Sequence, residues 1–504
     1  MEAMVLYLAF SLLGICLVHK FYQRRTSQRN LPPSPPALPF IGHLYLQKPP
    51  MFKTYHKLAQ KYGPIFSLRF GSSLVVVVSS ASAMEECFTI NDMTLANRPK
   101  LLAGKHFGYN YTSVDQASYG EHWRNLRRIG ATEFFSNTRA NMLITGIAKE
   151  EVKQLIAKLS HDSLHDFAKV ELKTYFQELT FNFIMRMVTG KGYHADEDSV
   201  KEAREFGKLI KNLSIYYDSS NPGDFFPFWN WIDGGRFEKS MVQLAKKIDA
   251  FLQGIVHEHR NKLHTDSART AVNSFLLLQK KEPEYFTDDI IKGYMLILFI
   301  AGTDTTTVTS EWAMSCLLNN PDKLEKVREE VDKEVGQERL IEDSDLPKLS
   351  YLRNVILETL RMYPAAPIID PHVASEDCVV GGYHIPRGTM VLANAWSLQR
   401  DHKLWDDPHT FKPERFYADD GSAYKLMPFG LGRRSCPGMN IAHRVLGLTL
   451  GSLIQCFDWQ RVSEELLDMT EGSGITMRKV VPLEALIRAR PVLKKTISDG
   501  GLAS

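Results

Sequence analysis

A single thiol stands in a stretch of glycine, proline and arginine. Residues 428 to 438 read PFGLGRRSCPG, and Cys436 is the only sulfur in it. Gly432 and Gly438 would let the backbone pack close to something flat or bulky. Arg434 and the backbone N–H groups around Cys436 would lower the thiol pKa and hold a thiolate. Pro437 opens a helix, whose positive end also favours an anion there. The other cysteines, Cys16, Cys87, Cys316, Cys378 and Cys456, are scattered and form no CxxC pair. A disulfide framework is therefore not expected, and a reducing compartment is. Zinc wants four ligands, and neither a second cysteine nor a histidine lies close by. A lone thiolate fits the axial position on haem iron, where it donates electron density that favours O–O cleavage.

Other residues in chemically suggestive patterns lie elsewhere in the chain. Ala301-Gly-Thr-Asp304-Thr305-Thr306 follows the apolar run Tyr294 to Ala301. Glycine and a row of threonines are poor choices inside a helix. Threonine hydroxyls bond back to the preceding turn and bend it. An interrupted helix at a site is the expectation. Glu358 and Arg361 are spaced i, i+3 and share a helix face. Alone they would be an ordinary surface ion pair. Arg415 lies in PERF, residues 413 to 416, and Trp123 and Arg127 lie in WRNLR. A guanidinium suits bidentate contact with a carboxylate.

Phe429 to Gly438 matches the pattern FxxGxRxCxG. With the other four motifs, this makes the chain resemble the cytochrome P450 superfamily over nearly its whole length. The resemblance implies that family's haem-thiolate fold, one mainly α domain with a small β lobe. It implies haem b, with Cys436 as axial iron ligand and with Phe429 and Gly438 against the haem. Trp123, Arg127 and Arg434 would meet the propionates. His372 would do the same, in a position where many relatives carry arginine. Thr305 is assigned to oxygen activation and Asp304 to proton delivery. Glu358, Arg361 and Arg415 would form a buried triad that locks the proximal side.

The implied activity is that of a monooxygenase. It takes O2 and electrons from NADPH, through a membrane-bound NADPH–cytochrome P450 reductase. Cytochrome b5 is a second candidate donor. A basic patch with some of Arg124, Arg128, Lys425 and Arg433 would meet the reductase. ANRP (Ala96 to Pro99), Tyr119 to Arg128, AGTDTT and PERF look like plant microsomal enzymes of specialised metabolism. The nearest group contains isoflavone hydroxylases and lignan methylenedioxy-bridge synthases. The intact Thr305 tilts the chemistry toward hydroxylation over bridge formation. The rivals are a reductase-independent haem-thiolate isomerase or dehydratase and a silent haem carrier. Intact Cys436 and Thr305 disfavour both.

These residues need elements to hold them. The chain has 504 residues, long enough for a large core, and a net charge of +3 that gives no argument for nucleic acid. Ala3 to Val18 carry no charge, and His19, Lys20, Arg24, Arg25 and Arg29 follow. That order fits a membrane anchor over residues 1–22 better than a cleaved signal. The cationic flank would stay cytosolic, which puts a single-pass protein on the endoplasmic reticulum with its catalytic domain in the cytosol. The sequons at Asn110 and Asn212 would then stay bare. A basic and proline-rich hinge over 23–44 would act as a semi-rigid spacer. The catalytic domain would span 45–495 and a frayed tail 496–504. Residues 65 to 79 alternate around Gly71-Ser72 and read as a β-hairpin. Helical periodicity dominates from about Ser80 to Leu360 and returns over Met439 to Leu453. Strands are expected at Val379 to Ile385, Thr389 to Ala393 and in short runs over 473 to 492.

The substrate pocket should draw on Leu101 to Tyr119, Leu209 to Tyr217, Phe299 to Thr305, Ala365 to Asp370 and Gly474 to Met477. Asp115, Phe299, Ala301, Ile368, Asp370 and Ile475 are its candidate residues. Mostly apolar, it suits a lipophilic ligand. Asp370, in IIDPH, stands where relatives usually carry an aliphatic residue. Asp115 stands where relatives are mostly apolar. A carboxylate in such a pocket must be paired. Either it meets a basic amine or several hydroxyls of the substrate, or Asp370 bonds backbone or points away and Asp115 faces solvent. The second reading is the favoured one.

Overall fold

The computed structural model describes residues 14, 30–161, 163–192, 197–218, 221–226, 229–262, 270–417 and 425–493. The expected anchor, apart from Gly14, and the tail lie outside them. Among the described residues no helix is long and apolar enough to cross a membrane.

The helices that position the site are α1 (Ala81–Phe88), α2 (Glu121–Ile129), α3 (Lys149–Ser160), α4 (Leu172–Thr189), α5 (Glu197–Asp218), α6 (Arg236–Lys262), α7 (Asp288–Asn319), α8 (Pro321–Glu334), α9 (Ser350–Met362) and α10 (Met439–Cys456). The strands are β1 (Ile65–Phe70), β2 (Ser73–Val78), β3 (Ala168–Glu171), β4 (Ile369–Val373), β5 (Cys378–Val380), β6 (Tyr383–Ile385), β7 (Met390–Ala393), β8 (Phe457–Gln460) and β9 (Glu484–Ala489).

The expected hairpin is β1 and β2, antiparallel, turning at Gly71 with φ of 58°. Only a residue without a Cβ takes that angle freely. Val75 to Val78 are buried, and β2 pairs in parallel with β7. A run apolar on both faces is what an interior strand requires. β4 joins β7 on the other side, giving the order β1-β2-β7-β4. The β4–β7 register shifts between Ile369 and His372, across Asp370 and Pro371. Proline has no N–H for the ladder, so the irregularity falls there. A second sheet orders β3-β9-β8, and β5 pairs with β6.

The proline segment does not stand free. The Ser67 N–H donates to the Pro33 carbonyl at 2.7 Å and the Ser67 hydroxyl to Pro32 at 2.9 Å. His43 Nε2 meets the Pro35 carbonyl at 2.9 Å. Pro32, Pro33 and His43 are therefore tied down beside β1, and Asn30 bonds to His384 of β6 and to Gly382 beside it.

α7 is the central helix, 32 residues long and buried over most of its surface. The Thr287 hydroxyl caps it by accepting the Ile290 N–H, and Asp288 and Asp289 sit in its positive first turn. It packs on α4 and α10. The AGTDTT run does not break it. α7 continues through, with the Thr305 hydroxyl donating to the Ala301 carbonyl at 2.6 Å and Thr307 to Thr303 at 2.9 Å. The threonine back-bonding is as expected, but the interruption is absent. Gly302 has a different reason to be glycine: a Cβ there would lie 2.4 Å from Ile184 Cδ1 on α4.

Candidate active site

The cysteine loop is closed by its own backbone. The Cys436 N–H donates to the Phe429 carbonyl at 2.9 Å and Ser435 to Gly432 at 3.1 Å. Gly432 has φ of 67°, and a Cβ there would strike Asp92 Oδ1 at 2.3 Å and the Phe88 carbonyl at 2.7 Å. The loop is thereby pressed onto the end of α1. Gly438 caps α10, so Cys436 sits just ahead of that helix's positive end. Burial pushes the Cys436 thiol up. The N–H groups of Gly438 and Met439 and the Arg127 guanidinium pull it down, but burial wins. The expected lowering of the thiol pKa is thus corrected for the protein alone.

Cys436 is accessible, whereas Cys87, Cys316 and Cys456 are buried. Ala301 is likewise exposed, between half-buried Ile300 and the half-buried run Gly302 to Thr306. Phe299 does not share that exposure. It is 0% exposed and packs edge-on against Phe206 at 4.9 Å. Two residues along a helix is a turn of about 200°, so Phe299 and Ala301 face opposite ways.

Three guanidiniums cluster beside the cysteine loop. Arg434 donates through Nε to the Ala96 carbonyl at 2.8 Å and also to Val114 and Ala117, and it lies 4.5 Å over the Trp123 ring. Burial and the charges of Arg98 and Arg127 push it down to about 9, against weaker opposing pulls from Asp115 and Asp370. Arg127 donates to the Ser435 carbonyl. Arg98 donates to the carbonyls of Asp115 (3.2 Å), Asp370 (2.9 Å) and Pro371 (2.8 Å). Burial lowers Arg98 and Arg127 as well. Arg98 was present in the ANRP stretch but carried no role there. Half-buried guanidiniums satisfied mainly by carbonyls are what two carboxylates of a haem would neutralise. With the accessible thiol and its N–H cradle, the residues fit the group.

Two implied propionate contacts differ from expectation. The Trp123 indole N–H is already given to the Val114 carbonyl at 3.1 Å, so the ring supports Arg434 instead. His372 is 3% exposed, with Nδ1 at 2.6 Å from the Leu95 carbonyl. A carbonyl only accepts, so Nδ1 carries the proton and neutral Nε2 has none to donate. Burial, with Arg98 and Arg434 nearby, holds His372 well below its ordinary value. The unfolded chain therefore binds a proton that the folded chain refuses. Stability supplied by the neutral ring is full above the ordinary histidine value of 6.5 and is lost as pH falls below it. Unfolding by urea between pH 7 and 5 should show a loss of about 1.4 kcal/mol per unit from this one group. His372→Asn should flatten that slope by one proton; an unchanged slope would refute the assignment.

The triad is assembled. Arg361 and Glu358, both 0% exposed, make a two-pronged pair at 2.7 and 2.8 Å. Arg415 Nε reaches Glu358 at 3.1 Å, and the Lys412 N–H adds a fourth contact at 2.9 Å. Arg361 also donates to the carbonyls of Gln399 and Pro408.

Four of the five expected pocket segments, all but Phe299 to Thr305, are linked by direct contacts or through Arg98. Phe107 contacts Tyr216 and Tyr217 of α5. Arg98 ties Asp115 to Asp370. The Met477 N–H donates to the Ala365 carbonyl at 2.9 Å, and the Trp312 indole of α7 donates to Met477 at 2.8 Å. Ile368 is half-buried, and Ile475 is 39% exposed. Asp304 is held by Arg478, with Nη2 to Oδ2 at 2.6 Å, a partner that no sequence pattern had indicated. The Phe429 ring packs on His443. Around the loop, Arg124 and Arg433 both lie over the Tyr119 ring, at 5.6 and 5.4 Å, and Arg433 pairs with Asp92 at 3.0 Å.

Known proteins carry the same frame. The chain is 51% identical to cytochrome P450 81Q32 of Catharanthus roseus, over 98% of each chain. It is 47% identical to an isoflavone 2'-hydroxylase of Glycyrrhiza echinata, over 97% of each. It is 48% identical to the (+)-piperitol/(+)-sesamin synthase CYP81Q2 of Sesamum radiatum, over 99% of each. Among solved structures, a zebra fish cytochrome P450 with progesterone superposes with a TM-score of 0.76 at 26% identity, covering 88% of this chain and 100% of that one. The cytochrome P450 family model matches residues 32–482. The accessible thiol, the cluster of half-buried arginines and the locked Glu358–Arg361 pair thus belong to a haem-dependent oxidoreductase, and the chain is a member of the cytochrome P450 family.

Proposed function

We propose that the enzyme hydroxylates a lipophilic plant specialised metabolite. Candidate classes are phenylpropanoids or flavonoids, terpenoids and alkaloids. It would use O2 and electrons passed from NADPH by a flavoprotein reductase. The exposed Cys436 sulfur beside three half-buried guanidiniums carries this reading. Cys436 would hold the iron, with Arg98, Arg127 and Arg434 at the propionates. Bound haem supplies the activation of O2.

The chain's own residues manage protons and water. The Thr305 hydroxyl gives its proton to Ala301 and so keeps its oxygen able to accept one. Asp304 becomes available for proton transfer when Arg478 releases it. Ala301 and Ile368 present apolar surface that excludes water from the reacting carbon. Thr305→Ala is expected to leave NADPH oxidation running while product formation falls about 100-fold. Parallel assay of NADPH, product and hydrogen peroxide checks this; unchanged coupling would remove Thr305 from the role.

Residues 1–22 would anchor the protein in the endoplasmic reticulum, with the face around Arg124, Arg128 and Arg433 open to the reductase. The relation to a sesamin synthase supports a second reading, closure of a methylenedioxy bridge. The test is turnover in microsomes with a plant reductase and a panel of isoflavones, lignans, terpenoids and alkaloids. A product one oxygen heavier, formed only with NADPH, supports hydroxylation. A product two hydrogens lighter supports bridge formation. Turnover without NADPH would overturn both in favour of an isomerase.

A further inference from the structure

Glu311 is a carboxyl on α7 that the proposed chemistry leaves without a role. It is 0% exposed. Its Oε1 accepts the Leu483 N–H at 2.9 Å. Its Oε2 is buried and has no hydrogen-bond partner among the described residues. An ionised carboxylate is costly in such a place, and a carboxyl that keeps its proton is less so. The Leu483 carbonyl in turn accepts the Leu172 N–H at 2.9 Å, so Glu311 stands beside the first turn of α4.

The charged groups that face Glu311 are Lys479 from the segment before β9 and Glu171 and Lys173 from the start of α4. Lys479 is buried, donates to the Asp468 carbonyl and lies 4.7 Å over the Trp312 ring. Glu171 and Lys173 are half-buried and mark the way to solvent. Glu171 is occupied in capping α4, where it accepts from Thr174. Burial pushes the Glu311 carboxyl up, and Glu171 adds to the rise. The Leu483 N–H, Lys173 and Lys479 pull the other way, but burial wins.

A polar line runs from Glu311 toward the site along the seam between α4 and α7. Thr307 lies four residues before Glu311 and three after Asp304. Helical neighbours at those spacings share a face, with Cβ atoms about 5–6 Å apart. The Thr307 hydroxyl is buried and meets that of Thr180 on α4 at 2.7 Å. Thr180 also reaches the Phe176 carbonyl at 2.9 Å, and Thr307 the Thr303 carbonyl at 2.9 Å. Each hydroxyl has one hydrogen, so two hydrogens serve three contacts. In one sense Thr307 donates to Thr303 and Thr180 to Thr307. In the other, Thr180 donates to Phe176 and Thr307 to Thr180. A pair that runs in either sense passes a proton by turning over. Around it Phe176, Ile184 and Val308 are buried and apolar, so this polar stripe is not what packing alone would select.

We propose that Glu311 is a positioning residue that holds the next proton for Asp304 and passes it along the α4–α7 seam through Thr307, with Thr180 as its partner. This rests on the monooxygenase chemistry proposed for the enzyme and on the role given there to Asp304, and it supplies the source of that proton. Glu311 loses a proton, Thr307 accepts it and gives up its own to Asp304, and Glu311 regains one from solvent past Lys173. A neutral Asp304 no longer draws Arg478, so arrival of the proton opens that ion pair.

The test uses the full-chain holoenzyme. Infrared difference spectra between wild type and Glu311→Gln, in H2O and D2O, isolate one buried carboxylic-acid carbonyl band without turnover. Its titration should centre above the ordinary carboxyl value of 4.5. A band centred there or lower would overturn the proposal, since Glu311 would hold no proton to pass. Turnover is read as NADPH-driven oxygen uptake with a plant reductase and no organic substrate. At the site O2 then takes two electrons and two protons to become hydrogen peroxide. Glu311→Gln should slow it about tenfold, or about 1.4 kcal/mol of barrier, and enlarge its solvent deuterium isotope effect. Glu311→Asp should restore most of the rate. Thr307→Val should match Glu311→Gln, and the double variant should be no slower than either, because one line is cut once. Additive losses, or an unchanged isotope effect, would overturn the relay. If Glu311→Gln does not fold, Thr307→Val against wild type decides. The carbon monoxide spectrum of each reduced protein shows whether the haem-thiolate site is intact. With it intact, an Asp304→Asn protein that keeps the wild-type isotope effect sinks the role of Asp304 itself. An enlarged effect in Asp304→Asn but not in Glu311→Gln sinks only the relay.

Discussion

Cys436→Ser is expected to remove turnover, by about 10³-fold or more, which is some 4 kcal/mol of barrier. A serine hydroxyl does not ionise near neutrality, so the anionic donor to iron is gone, while the shape of the loop survives. The N–H groups of Gly438 and Met439 that aim at the sulfur would then face a neutral oxygen. The purified variant should keep its helical circular dichroism and lose the thiolate signature of the reduced carbon monoxide adduct. A variant that kept that signature would show that Cys436 is not the iron ligand.

Glu358→Ala should have the largest effect on stability. It strands Arg361, which is 0% exposed, and removes the acceptor for Arg415 and the Lys412 N–H. Breaking one side of a buried ion pair costs about 3–5 kcal/mol. A domain has only about 5–15 kcal/mol to lose. The expected product is insoluble or haem-free protein. Arg361→Lys keeps the charge but loses the fork, and should fall between wild type and Glu358→Ala. Haem content per chain and the thermal midpoint measure both. A Glu358→Ala protein with wild-type haem content and midpoint would reduce the triad to an ordinary ion pair.

Local patterns were legible where local physics decides. The β1–β2 hairpin follows from alternation around Gly71. The cysteine loop announced itself through Gly432, whose missing Cβ the structure needs, whereas a Cβ at Gly438 would meet only ordinary contacts. The Glu358–Arg361 spacing alone suggested a surface pair; only burial made it a lock. Contacts between distant segments were not legible. Arg98, Asp115 and Asp370 meet because β4 crosses beside the loop before α2, and no periodicity records that. Phe299 was misplaced because it shares a helix with Ala301 but not a face. Gly302 read as a helix breaker because its neighbour Ile184 lies more than a hundred residues away in sequence.

The parallel pairing of β2 with β7 joins Val75 to Met390. On a ribosome these partners emerge far apart in time. At about 5–20 residues per second, the interval is roughly 15–60 s. Throughout it, the Leu74 to Val78 run has one strand edge unpaired, apolar and β-branched. Such an edge is a template for intermolecular pairing. Nascent chains that stall before β7 should be captured by chaperones or aggregate. The yield of this enzyme in a foreign host should therefore depend on translation speed and holdase supply more than on the final stability of its core.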